Sequence, residues 1–129
     1  MSVQIPIHAI CKHCDIYKDN PWNYSIDIKL THVQECIENN VFEYRSFDTM
    51  SDDNKESYHH AARIAYLVIN PDFKPIEIDV GIPGICDIDW FIMDGNHRLA
   101  AAIYRKDKFI NADVSGSVDL AKRLFKIQI

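Results

Sequence analysis

Residues 89–104 run a stretch of bulky apolar side chains directly into a helix-forming stretch, and the rest of the chain has to accommodate that junction. Asp89-Trp90-Phe91-Ile92-Met93 has the composition of a buried strand. Residues 99–104 are rich in helix formers and contain no breaker. Between them, Asp94-Gly95-Asn96-His97-Arg98 must turn a strand sharply into a helix. Gly95 admits a backbone conformation or close approach that a side chain would block, and Asn96 suits an N-cap. His97 and Arg98 then fall in the first helical turn, where unpaired N–H groups point outward. A cationic helix start of this kind attracts anions, phosphate above all.

Periodicity orders the elements around this junction. Ala61, Ile64, Ala65 and Val68 recur at helical spacing in a helix from about Glu56 to Asn70-Pro71, where the proline stops it. Residues 75–80 alternate as a strand, 81–87 form a turn, 110–114 form another strand, and a last helix covers 118–125. The second half therefore reads helix, strand, strand, helix, strand, helix. In the first half, residues 3–7 suit an edge strand because of Pro6, and 11–23 a loop. Residues 24–30 read as a half-buried strand, 41–47 as an aromatic-rich strand and 48–55 as a polar loop. Thr31-His32-Val33-Gln34 has the form of a capping box opening a short helix to about Asn39, with Val33, Cys36 and Ile37 inward. Together these predict an α+β protein, one small domain over residues 1–129, with helices packed on a mixed sheet.

A chain of 129 residues is long enough for one real core and too short for two. Its 19 acidic against 14 basic residues give a net charge of −5, which argues against a general nucleic-acid scaffold. The absence of a long apolar run or secretory signal predicts a cytoplasmic protein without a membrane partner. Reduced, unbonded thiols are the favoured reading of Cys11, Cys14, Cys36 and Cys86. Cys11 and Cys14, with His8 and His13, form a weak zinc set because no second cysteine pair follows at finger spacing, so no metal site is assigned.

Two features resemble the ParB/sulfiredoxin-like superfamily. One is a helix leading into Pro75-Ile76-Glu77-Ile78, similar to that family's Pro-Ile-x-Val strand. The other is the box Asp94-Gly95-Asn96-His97-Arg98-Leu99-Ala100-Ala101, similar to its Gly-x-[His/Arg]-Arg followed by alanines. They span residues 56–114 and leave 1–50 as an N-terminal extension without a counterpart. The resemblance implies a stand-alone ParB-like domain whose box holds phosphate groups, as in nucleotide-binding proteins, small-molecule kinases or nucleases. Asn96 stands where sulfiredoxin needs a cysteine, which excludes sulfinic-acid reduction by that route. Asn96 and His97 also replace the Glu and Arg of chromosome-partitioning proteins. Fold membership alone does not choose among the activities.

Within the box, Arg98 suits phosphate geometry, with a structural ion pair to Asp94 or Asp89 as the competing role. His97 suits a phosphate donor or an acid–base group, with a capping or core histidine as the plain alternative. Asp94 suits a general base, a magnesium ligand or an anchor for the turn. Asp94, His97 and Arg98 are thus the catalytic candidates, and Gly95, Asn96, His97 and Arg98 the binding cradle. His59, His60 and Arg63 lie on the preceding helix, His59 and Arg63 on one face; the resemblance turns this region toward a nucleotide, with an exposed polar helix face as the plain alternative. ATP or CTP with Mg²⁺, or another small phosphorylated molecule, is the implied ligand, and Asp79, Asp87 and Asp89 are further carboxylates for the metal. Ser115-Gly116-Ser117 reads as a second cradle or, more simply, as the cap of the last helix. Trp22 and Trp90 read as core or rim packing. Three readings follow: phosphoryl transfer or nucleotide hydrolysis, a nuclease, and a non-catalytic binder or inhibitor. The acidic charge weighs against the second, the intact box against the third, and the first leads.

Overall fold

A computed structural model describes residues 2–22, 28–47 and 57–128. Its sheet follows from alternation. In β2 (Ile76–Asp79), Ile76 and Ile78 are buried while Glu77 faces solvent. That strand pairs antiparallel with β3 (Ile92–Asp94) on one side and parallel with β4 (Phe109–Ser115) on the other. Across β4 lies β1 (Ser2–Pro6), antiparallel, giving the order β1-β4-β2-β3. β1 is an edge, which is where Pro6, lacking an N–H, is tolerated. Glu77 sits opposite Asp94, so the end of β3 is placed beside the start of β2.

The helices are α1 (Ile7–Cys11), α2 (Ile16–Asp19), α3 (Leu30–Glu38), α4 (Ser57–Ile69), α5 (Asn96–Arg105) and α6 (Val118–Phe125). The second-half order of helix, strand, strand, helix, strand, helix is the observed one, and the class is α+β with a mixed sheet. Leu99, Ala100, Ala101 and Ala102 of α5 are all buried; the small alanine side chains let α4, which brings Ala61, Ala62 and Ala65, pack closely along it. Ile5, Ile10, Ile16 and Val33 belong to the same core cluster as Ile64, Ile76, Leu99 and Phe125. The first fifty residues therefore supply an edge strand and part of the core. Among the described residues, no helix is long and apolar enough to cross a membrane.

Several expectations need correction. Residues 11–23 are not simply a loop: Cys11 ends α1, and α2 forms where Asp15 accepts from the Tyr17 and Lys18 N–H groups at 3.1 and 3.3 Å. α3 starts at Leu30, and its start is bonded by the Lys29 N–H donating to His32 Nδ1 at 3.1 Å, not by a Thr31–Gln34 box. The strand expected over 24–30 falls mostly on residues outside those described; Ile28 and Lys29 are in no strand. Residues 41–47 join no strand either. They run beside α4, where the Glu43 N–H donates to the Ala62 carbonyl at 3.1 Å and Arg63 donates to the carbonyls of Glu43 and Tyr44 at 3.4 and 2.9 Å. Backbone groups satisfied this way have no need of a sheet. β3 is shorter than the apolar run suggests: Asp89, Trp90 and Phe91 precede it, and Met93 is exposed. On α4 the buried face carries Ala62 and Leu67, with Val68 only half-buried. The loop expected over 48–55 and Glu56 lie outside the described residues.

Candidate functional site

The turn from β3 into α5 depends on Gly95, whose φ of +99° lies in the region that disfavours side chains. A Cβ there would stand 2.4 Å from Ile76 Cγ2, so the glycine also lets β2 approach the turn. Gly95 itself is the N-cap, and no side chain caps the helix. Asn96 is not the cap. Its Oδ1 accepts from the Trp90 indole N–H at 3.0 Å and its Nδ2 donates to the Ile92 carbonyl at 3.4 Å, tying the turn to the strand before it.

Consecutive residues on the first turn of α5 then diverge. Arg98 reaches back across the sheet end: Nη1 donates to the carbonyls of Lys74 and Pro75 at 2.6 and 3.1 Å, and Nη2 to Asp94 Oδ2 at 3.2 Å. Three of its five donors are thus engaged by the protein. The geometry includes the structural ion pair with Asp94, and the guanidinium fixes the loop from α4 to β2. Within that loop, Asp72 Oδ1 accepts from the Lys74 N–H at 3.0 Å.

His97 turns the other way, toward α4. Its Nε2 lies 2.8 Å from Nδ1 of the buried His60, with the two imidazoles 13° from coplanar. Trp22 packs on both rings, at 4.5 Å from His60 and 4.7 Å from His97. Phe47 does the same, at 4.4 and 4.6 Å. One imidazole donates and the other accepts, so the pair cannot be doubly charged. Burial, followed by the charges of His60 and Arg63, holds His97 well below the ordinary histidine range. It is therefore uncharged at neutral pH and can take up a proton, but it is not a cationic phosphate clamp.

A cleft of about 240 Å³ opens in front of this turn, lined by Arg63, Lys74, Asp94, Gly95, His97 and Arg98 together with Phe47 and Asp72. Arg63 is held by the Glu43 and Tyr44 carbonyls and lies 5.4 Å from the Tyr66 ring centre. Burial pulls its guanidinium below its ordinary value without discharging it. The structure thus brings together Arg63, Asp94, Gly95, His97 and Arg98 from the expected set. Asn96 and His59 do not line the cleft; the His59 ring lies 3.9 Å from that of Tyr58. Asp79, Asp87 and Asp89 do not line it either. Asp79 Oδ1 accepts from the Gly81 N–H at 2.8 Å and Asp87 Oδ1 from the Gly84 N–H at 3.3 Å. Ser117 caps α6 through the Leu120 N–H at 3.2 Å, and Ser115 Oγ donates to the Ile78 carbonyl at 3.2 Å.

Phe47 and Lys74 are site residues that sequence reasoning did not assign, and Trp22, expected in packing, stacks on the site histidines. His60, expected on the helix region turned toward a ligand, is instead buried beside His97; it lies four and seven residues before Ile64 and Leu67 and so shares their inward helix face. Among the described residues, no group of three or more His, Cys, Asp or Glu is placed to hold a metal ion. The four cysteines are unbonded; Cys14 Sγ accepts from the Phe91 N–H at 3.4 Å, and burial pushes the Cys11 thiol up to about 11. Compared with protein-family models, with curated proteins and with solved structures, the chain matches none.

Proposed function

We propose that the protein binds a phosphate ester, with nucleotides the foremost class, in the cleft before the 94–98 turn. One observation carries this reading: Arg63, Lys74 and Arg98 meet around one small cleft at the uncapped start of α5. Backbone N–H groups and the helix dipole favour an anion there, and planar guanidinium groups match phosphate oxygens. A cleft of about 240 Å³ suits the phosphate portion of a ligand rather than a whole nucleotide. Mg²⁺ would arrive with ATP or CTP, and Asp72 and Asp94 are the carboxylates lining the cleft that suit it.

For phosphoryl transfer or hydrolysis, the chain offers His97 as a neutral base that shares its proton with His60 across 2.8 Å. Asp94 is a second acceptor at the rim, with its side chain 59% exposed. Arg63 and Lys74 would stabilise charge on the transferred group. The ParB-like assignment belongs to this proposal and rests on the box and the order of elements.

Calorimetric titration of ATP, CTP and ADP with Mg²⁺ tests the reading. Wild type is expected to bind, and Lys74→Ala combined with Arg63→Gln to lose at least about tenfold in affinity, one charged contact being worth about 1.5 kcal/mol or more. Wild type that binds none of the three overturns it.

A further inference from the structure

A second cavity, of about 570 Å³, adjoins the phosphate cleft and shares Asp72, Lys74 and Arg98 with it as a common wall. Its walls are mostly apolar, and two of them are aromatic rings left facing water: Phe73, 70% exposed, and Phe109, 53% exposed. Phe73 lies in the loop whose next residue is held twice, the Lys74 N–H donating to Asp72 and the Lys74 carbonyl accepting from Arg98. Phe109 opens β4 opposite Pro6. Around these rings stand Lys74, Lys108 and the amide of Asn111. An apolar aromatic wall with polar groups at its edge and cations leading toward a phosphate site matches a flat, polar-edged heterocycle.

We infer that this second cavity is a base-stacking subsite and that the ligand is a nucleotide unit, with its phosphates in the first cleft and its base on Phe73 and Phe109. The inference rests on the phosphate-binding reading and adds what that reading lacks, a place for the organic part. A sugar phosphate would leave the rings uncovered. A free nucleotide and the 5′-phosphorylated end of a strand present the same chemistry here. The net charge of −5 favours the free nucleotide, because a longer strand brings further phosphates over an acidic surface.

The experiment compares inorganic tripolyphosphate, ATP, CTP and a 5′-phosphorylated oligothymidylate of six nucleotides, on wild type and on Phe73→Ala, Phe73→Leu and Phe109→Ala. Both rings are exposed, so the variants keep the fold. Wild type is expected to bind ATP or CTP about five- to hundredfold more tightly than tripolyphosphate, the range for one stacked base. Phe73→Ala and Phe109→Ala should each remove much of that difference and leave tripolyphosphate affinity unchanged. Phe73→Leu should act like Phe73→Ala, because it keeps apolar area but loses the π face. Oligonucleotide binding tighter than that of the mononucleotides, and equally sensitive to Phe73, places the unit at a strand end in the same subsite. Tripolyphosphate that binds as well as ATP, or ATP affinity unmoved by the ring variants, overturns the subsite while the phosphate cleft stands. Failure of tripolyphosphate and of the nucleotides alike overturns both.

Discussion

Replacing Arg98 by alanine should destabilise the protein before it says anything about a ligand. The side chain is only 12% exposed, and Nη1 donates to the carbonyls of Lys74 and Pro75 at 2.6 and 3.1 Å. A hydrogen bond to a charged group contributes about 1.5–3 kcal/mol. The Asp94 contact adds little, because its carboxylate is 59% exposed and an ion pair so open to solvent is worth less than about 1 kcal/mol. Water can replace the guanidinium at the exposed Lys74 carbonyl but less well at the half-buried Pro75. Arg98→Ala should therefore cost about 2–4 kcal/mol, and Asp94→Asn less than about 1 kcal/mol. Arg98→Lys should fall between them, since one ammonium cannot fork across two carbonyls.

Urea unfolding followed by circular dichroism measures all three as midpoint shifts at constant slope. Hydrogen exchange should show faster opening of the 72–76 amides in Arg98→Ala, since the bonds removed are those that fix that loop. Arg98→Ala within 0.5 kcal/mol of wild type, or Asp94→Asn costing as much as Arg98→Ala, refutes the reasoning (about 0.5 being the usual limit for a surface change). If the order holds, loss of ligand binding in Arg98→Ala reports a disordered loop as much as a missing cation.

Gly95→Ala meets both a φ of +99° and Ile76 Cγ2 at 2.4 Å, and should cost about 3 kcal/mol or more; Ile76→Ala removes Cγ2 but leaves Cβ at 2.8 Å, so a double-mutant cycle should return part of the steric cost, and strict additivity would refute the Cγ2 clash. His97, held below its ordinary 6.5 by burial, binds less proton folded than unfolded, so its contribution is full above about pH 6.5 and is lost as pH falls toward its folded value. The loss approaches about 1.4 kcal/mol per pH unit, and His97→Gln should flatten it; equal pH slopes in variant and wild type between pH 7.5 and 5 would count against a neutral His97.

The second half of the chain was readable because its signals are long and local. Thirteen residues of α4 and ten of α5 carry enough periodicity to be recognised, and Asn70-Pro71 and Gly95 mark their boundaries. The first half lacks such signals. Helices of five and four residues, α1 and α2, are too short to show a period and exist through tertiary packing of Ile7, Ile10 and Ile16. Residues 41–47 have strand composition, but Glu43 and Tyr44 find their hydrogen-bond partners on α4 and Val41 on α3, which no local pattern can reveal. The site divides in the same way. Gly95, Arg63 and Arg98 were legible from type and spacing, whereas Lys74 reaches the cleft from a loop without a motif, and Trp22, Phe47 and His60 meet His97 only through the fold.

That division explains why two neighbours in one motif have opposite roles. On a helix, adjacent residues point about 100° apart, so His97 and Arg98 cannot serve the same surface in the same way. His97 faces α4 and is pinned in an aromatic and imidazole cluster that keeps it neutral. Arg98 faces the loop before β2 and bonds to its carbonyls and to a carboxylate. Its main effect on any ligand would then be exerted through that loop, which presents Lys74 to the cleft before α5 and Phe73 to the cavity beside it. The two cavities share Arg98 as a wall, so the residue that orders the loop also sets the spacing between the Lys74 ammonium and the Phe73 ring. A ligand in the first cleft alone touches Asp72, Lys74 and the first turn of α5 and should slow exchange there, whereas one that engages both cavities should extend the protection to the start of β4 at Phe109.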